Sequence, residues 1–129
     1  VIAFGQDVMP AFWSSKSDIP APLRSDSAAE IAAALVARQA LGLTGGQLIA
    51  NPVPQADEIP AEEIGPMIEL ALHEANRQGI TAKAVTPFLL GRIFELTAGK
   101  SLITNIALVK NNAKLAAEIA KSCYDLPKI

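Results

Sequence analysis

The apolar positions of this chain fall into short continuous runs and longer helical stripes, and the switch between them marks out its elements. Val1-Ile2-Ala3-Phe4 is a run of strand character, followed by Pro10, Pro20 and Pro22 with Ser14-Ser15 and Ser17-Asp18 between them. Prolines at that density interrupt ladders and helices alike, which predicts a strand and then a long irregular excursion carrying Phe12 and Trp13. Ser27 and Glu30 have capping-box spacing and open a helical stripe through Ile31, Leu35 and Val36 to about Leu41, before Gly42. Gln47-Leu48-Ile49-Ala50 then reads as a short buried strand, stopped by Asn51-Pro52-Val53-Pro54, where two prolines end ladder pairing.

After Pro60 the positions Ile64, Met67/Ile68, Ala71/Leu72 and Ala75 form one helical stripe behind an acidic first turn, Glu62-Glu63, and Gly79 ends it. Thr86-Pro87 has the form of an N-cap followed by Pro at the first helical position. The helix it predicts, Phe88 to Thr97, is apolar nearly all round, which implies deep burial. Gly99 closes it, and Ser101 is placed to cap a last helix over about 102–124. That helix carries Leu102, Ile106, Val109, Ala113, Ala116, Ala120 and Cys123 at spacings of four and three, a narrow seam another helix can approach. Two short strands with four helices do not complete a sheet. The expected fold class is α/β, helix-rich with a few short strands. Its sheet is completed by an N-terminal segment outside this chain.

At 129 residues and 13.5 kDa, one domain is the expectation, spanning residues 1–129. Half the residues are hydrophobic and the net charge is −2, which excludes a disordered chain and a non-specific nucleic-acid binder. One cysteine, Cys123, and one histidine, His73, cannot form an internal disulfide or a His/Cys metal cluster. No apolar run approaches the roughly 20 residues a bilayer span needs, and no secretory pattern appears, so a reducing cytoplasmic setting and no membrane partner are expected. The opening on an apolar strand, without an initiator Met, predicts a sheet begun earlier in a longer chain.

Candidate chemistry is sparse. Asn105 and Asn112 lie seven apart, only about 20° from each other around a helix, and flank the apolar seam. An amide there either bonds across to a neighbouring loop or points into a polar pocket and reads a ligand, since it offers donor and acceptor together. Asn51 falls at the carboxyl end of a strand, where open α/β sheets place ligands. Thr86-Pro87 exposes amide hydrogens at a helix start, serving as a cap or as a phosphate cradle. His73 lies on the polar side of its helix and reads as solvated, and nothing local activates Lys83 or Lys110 as a Schiff-base lysine. Cys123 reads as a small core residue. No nucleophile elbow, phosphate loop or dinucleotide fingerprint is present.

Several blocks together resemble one family. Asn51-Pro52-Val53-Pro54, Thr86-Pro87-Phe88-Leu89-Leu90, Glu95-Leu96-Thr97, Ser101-Leu102 and Asn105 through Ala113 resemble the C-terminal half of pseudouridine-5′-phosphate glycosidases, also called indigoidine synthase A-like proteins. The opening strand with Pro10-Ala11-Phe12 fits the same pattern, so the resemblance covers residue 1 to about 120. Ala98 departs from it, standing where a second glycine is common, as do Trp13 in place of Tyr or Phe and the tail from Ser122 to Ile129.

The resemblance implies the C-terminal part of an α/β/α sandwich, and an enzyme that reversibly splits the C–C glycosidic bond of pseudouridine 5′-phosphate into uracil and ribose 5-phosphate. A lysine carries the opened ribose as an imine, a carboxylic acid donates protons, and a divalent metal, usually manganese, is held by an aspartate and waters. All of these belong to the family's N-terminal half, outside this chain. The Asn that opens the Asn-x-x-Leu-Val-x-Asn-Asn block falls on Asn105, which the resemblance makes a catalytic and substrate-binding position, with Asn112, Asn51 and Thr86 as supporting substrate-binding positions. The partners it implies are the missing N-terminal half, a nucleotide substrate and two further copies in a homotrimer, with the Phe12-Trp13 loop and the small-residue seam as candidate contacts. The alternative is a non-catalytic assembly or binding module derived from that family.

Overall fold

In a computed structural model, residues 1–126 are described. Three strands, β1 (Ile2–Phe4), β2 (Arg24–Ser25) and β3 (Ile49–Ala50), form a parallel sheet in the order β2-β1-β3. Ala3 of the central strand lies opposite Arg24 on one side and Ala50 on the other. Parallel neighbours need crossover connections, and helix α1 (Ala28–Ala40) supplies the one from β2 to β3. The sequence pattern contains β1 and β3 but places β2 inside the irregular excursion. Two residues after Pro22 have no pattern of their own and become a strand only because β1 lies beside them.

Helix α1 begins with half of the predicted capping box, the Glu30 side chain turning to Ser25 instead of the Ser27 N–H. The Ser27 hydroxyl accepts the Glu30 N–H at 3.1 Å, while the Glu30 carboxylate accepts the Ser25 hydroxyl at 2.8 Å. Helix α2 (Ala61–Arg77) buries Ile64, Ala71 and Ala75, the stripe its spacing predicts, although Leu72 turns outward.

Helix α3 (Val85–Leu96) starts earlier than Thr86-Pro87 suggests. A 3-10 turn over Ala82–Ala84 runs straight into it, so Ala84 is the N-cap and Thr86 lies within the first turn, capping nothing. Pro87 is tolerated there because the first four N–H groups of a helix lack intrahelical partners anyway. The deep burial expected of this helix is also corrected: only Ile93 is fully buried, while Leu90 and Phe94 face outward. Its packing is against α2 on one side and the start of the final helix on another, leaving the rest of its circumference open.

Helix α4 (Lys100–Asp125) follows Gly99, whose φ of 86° only glycine adopts freely. Ser101 is therefore inside the helix rather than at its cap, and buried. The face that packs is Ser101, Thr104, Leu108 and Leu115, which meets α1 and the 3-10 turn Gln55–Asp57. It lies roughly 120° around the helix from the apolar seam expected to be buried. The reason is visible in the hydrogen bonds: Thr104 Oγ1 donates to the Asp57 carbonyl at 2.7 Å, and the Ser101 N–H donates to Thr97 Oγ1 at 3.1 Å. The short Thr104 side chain, its hydroxyl satisfied by a backbone carbonyl, allows closer packing than the seam's leucine and isoleucine would.

The second core joins α2 and α3 through Ile59, Ile64, Ala71 and Ile93, with Trp13 laid against it. The loop bearing Trp13 is stapled there. The Ile59 N–H donates to the Trp13 carbonyl at 2.9 Å, the Ser14 hydroxyl donates to the Ile59 carbonyl at 2.6 Å, and the Ser15 N–H donates to the Glu58 carboxylate at 2.7 Å. Trp13 is thus an internal packing residue of this chain, while Phe12, set edge-on to it at 4.8 Å, stays exposed. Of the tail from Ser122, residues 127–129 lie outside the described residues.

Two outcomes follow from this packing. Ala98 has φ 48°, a left-handed conformation that disfavours any Cβ, so Ala98→Gly should raise stability by about 0.5–1 kcal/mol in a urea titration. Hydrogen bonding from Ser15, by its side chain foremost and then its backbone N–H, holds the Glu58 carboxyl below its usual 4.5. Its contribution to stability is complete above that ordinary value and is lost as pH falls through the lower folded one. Glu58→Gln should therefore lower the urea midpoint at neutral pH and lose its effect in strong acid.

Candidate functional site

Strands β1 and β3 run in the same direction, so both deliver the chain to one end of the sheet, at Phe4-Gly5 and at Asn51. Two cavities open there and share Asn51 and Val53. One, of about 430 Å³, is lined by Gln6, Ser15, Lys16, Asn111, Lys114 and Glu118 among others. The other, of about 280 Å³, is lined by Phe12, Ile49, Ala50, Leu108 and Asn112.

Helix α4 is tied to the strand exit by two amides. Asn51 Nδ2 donates to Asn112 Oδ1 at 3.1 Å, and Asn111 Nδ2 donates to the Pro52 carbonyl at 3.0 Å. Proline at 52 supplies no N–H, which leaves its carbonyl as the one main-chain hydrogen-bonding group of that residue. Two of the residues singled out from sequence, Asn51 and Asn112, are therefore brought together, each occupying part of the other's hydrogen-bonding capacity.

Asn105 is half-buried on the same side of α4, two turns before Asn112, and these tethers leave its amide out. Its angular position falls between the packed face of α4 and the open apolar stripe. Thr86, exposed in the first turn of α3, lines neither strand-end cavity. Asn111, Lys16 and Lys114 are the residues that sequence reasoning missed. Asn111 was legible as half of an Asn-Asn pair, but Lys16 and Lys114 carry no local signal, and only the fold places them at one cavity.

A larger cavity, about 670 Å³, lies elsewhere, in a groove between α2 and α3. Its charges are closed on each other: Arg92 Nε donates to Glu74 at 2.6 Å and Arg92 Nη1 to Glu95 at 2.7 Å. Those bonds hold the Glu74 carboxyl below its ordinary value and raise Arg92 further above its own. His73 is exposed beside this groove. Among the described residues no three His, Cys, Asp or Glu side chains are grouped to hold a metal ion. No described helix is long and apolar enough to cross a membrane.

Comparison with known proteins places this geometry. The family model described as "Indigoidine synthase A like protein" matches residues 1–122. The chain belongs to this family. Among curated relatives it is similar to proteins named pseudouridine-5′-phosphate glycosidase, at 64% identity over 120 residues in Paracoccus denitrificans and 59% over 122 residues in Jannaschia sp.. Those matches cover 93% and 95% of this chain but 40% of each relative, so the chain spans about 40% of their length.

Among solved structures, an indigoidine synthase A-like protein from Thermotoga maritima is 34% identical with a TM-score of 0.78, covering 92% of this chain and 39% of that one. The prealnumycin C-glycosynthase AlnA, solved with ribulose 5-phosphate, has a TM-score of 0.80 at 23% identity, over 95% of this chain and 40% of its own. At that identity it speaks for the fold alone. The helix-rich α/β architecture with a short parallel sheet is thus that of the indigoidine synthase A-like proteins.

The tethers separate the asparagines by role. Asn111→Ala removes the bond to Pro52 and should cost about 1 kcal/mol, whereas Asn105→Ala should cost less than about 0.5 kcal/mol, both read from thermal melts.

Proposed function

We propose that this chain is the C-terminal portion of a single pseudouridine-5′-phosphate glycosidase domain. The complete enzyme reversibly cleaves the C–C glycosidic bond of pseudouridine 5′-phosphate to uracil and ribose 5-phosphate. The observation that carries this reading is the 57–64% identity, over 93–95% of the chain, to relatives bearing that name.

The nucleophile is a lysine outside this chain that holds the opened ribose as an imine. An imine supplies an electron sink, which breaking a C–C bond requires and which an ordinary sugar acetal lacks. The protons come from a carboxylic acid, also outside this chain. Manganese, when bound, would supply fixed positive charge to the site. Its ligands, too, belong to residues outside this chain. Alone, the chain does not turn over.

What the chain itself contributes is recognition. The Asn105 amide, left out of the strand-end tethers, donates and accepts to the nucleotide's base or to the opened sugar. Asn51 and Asn112 support it by fixing α4 against the strand exit. Thr86 shapes the margin. The enzyme works in the cytoplasm as a homotrimer.

With this chain co-expressed beside the leading segment of the Paracoccus relative, manganese and substrate should yield free uracil. Asn105→Ala should lower kcat about 100-fold with an unchanged melting temperature, since losing one transition-state hydrogen bond is worth roughly 2.7–4 kcal/mol. An equal loss of activity and melting temperature would return Asn105 to a structural role. An assembled wild-type pair that releases no uracil would overturn the enzymatic reading.

A further inference from the structure

The side of α4 that does not pack within this chain is apolar along most of its length. Leu102, Ile106 and Val109 remain 48%, 47% and 59% exposed, and Ala113, Ala116 and Ala120 continue the same stripe in the open. Across an arc of roughly 100° no charged residue interrupts it. The opposite side of the helix is already buried through Thr104, Leu108 and Leu115. A helix apolar on both sides belongs to the interior of a larger body. A contiguous apolar stripe of this kind marks a surface that meets a partner.

We infer that this stripe is the docking surface for the remaining polypeptide of the full-length protein, and that the docked segment forms the second wall around Asn105. The inference rests on the functional reading above only for what Asn105 binds. The occupant follows from length. Relatives 57–64% identical to this chain are only 39–40% covered by it, so each carries further chain more than equal in size to this one.

The Thermotoga structure keeps the same fold over 92% of this chain while 61% of its own length lies beyond the match (100 − 39). The sheet makes the same demand. Strands of two or three residues, with β2 and β3 paired only to β1 among the described residues, fall short of a self-sufficient parallel sheet.

Asn105 borders the stripe, one turn before Val109 and one turn after Leu102. Whatever covers those side chains therefore closes over its amide as well. The small residues from Ala113 onward let a partner backbone approach closely, while Leu102, Ile106 and Val109 supply the apolar area.

The test is co-expression of the 129-residue chain, tagged, with the untagged leading segment of the Paracoccus relative, reading how much segment is retained through purification. Wild type and Asn105→Ala should retain it equally. Ile106→Asp and Val109→Asp should each reduce retention at least about tenfold, since each buries an unpaired carboxylate. Leu43→Asp, exposed in the loop before β3, is the control and should retain as wild type. Far-UV circular dichroism of each tagged chain must match wild type for its result to count; the milder Val109→Thr, expected to retain an intermediate amount, serves if an aspartate variant unfolds.

Full retention by folded Ile106→Asp and Val109→Asp would overturn the inference. So would a wild-type chain that forms dimers on its own, dissociated by those substitutions, because the stripe would then belong to a second copy. Normal retention without uracil release leaves the docking surface standing and removes the enzymatic reading instead.

Discussion

The rotation of α4 about its own axis governs the remainder of this structure, and one hydrogen bond does most to set it. Thr104 Oγ1 reaches the Asp57 carbonyl with both groups in or beside the core. Breaking it strands the buried Thr104 hydroxyl, a loss of about 1–3 kcal/mol. Once Thr104 faces the 3-10 turn, Leu108 and Leu115 must face inward, Asn111 meets Pro52, and Asn112 meets Asn51. Asn105 is then left at the margin and Leu102, Ile106 and Val109 are turned out.

The loop from Gly5 to Leu23 plays the corresponding part for the α2/α3 layer. Its length would suit a mobile excursion, but three hydrogen bonds staple Trp13, Ser14 and Ser15 to Glu58 and Ile59. The staple carries the indole onto the core cluster and at the same time stations Ser15 and Lys16 at the strand-end cavity. Stability and site geometry are therefore linked through one segment. This chain offers amides and a packed frame, and it spans only about 40% of the length of its relatives.

Much of the fold was legible in the sequence because it rests on short-range chemistry. The Ser27/Glu30 pair, the Pro60 start with Glu62-Glu63, Gly79 and the Asn51-Pro52-Val53-Pro54 stop each act within a few residues, and α1, α2 and β3 lie where those signals put them. Thr86-Pro87 carried the same kind of signal and misled, because the preceding turn Ala82–Ala84 had already begun the helix. The asparagine block pointed correctly to polar groups at the edge of a packed face.

By itself, then, the sequence determined the order and number of the helices, two of the three strands, the family, and Asn51, Asn105 and Asn112 as residues to watch. Only the tertiary structure decided which side of α4 is buried, that Arg24–Ser25 is a strand, that Trp13 packs inward, and which asparagine is tethered and which is left out. The physical reason is that helical periodicity records where apolar residues lie, not which of two apolar stripes meets a partner. Hydroxyl and amide groups settle that choice by finding carbonyls distant in sequence, such as Asp57 for Thr104 and Pro52 for Asn111.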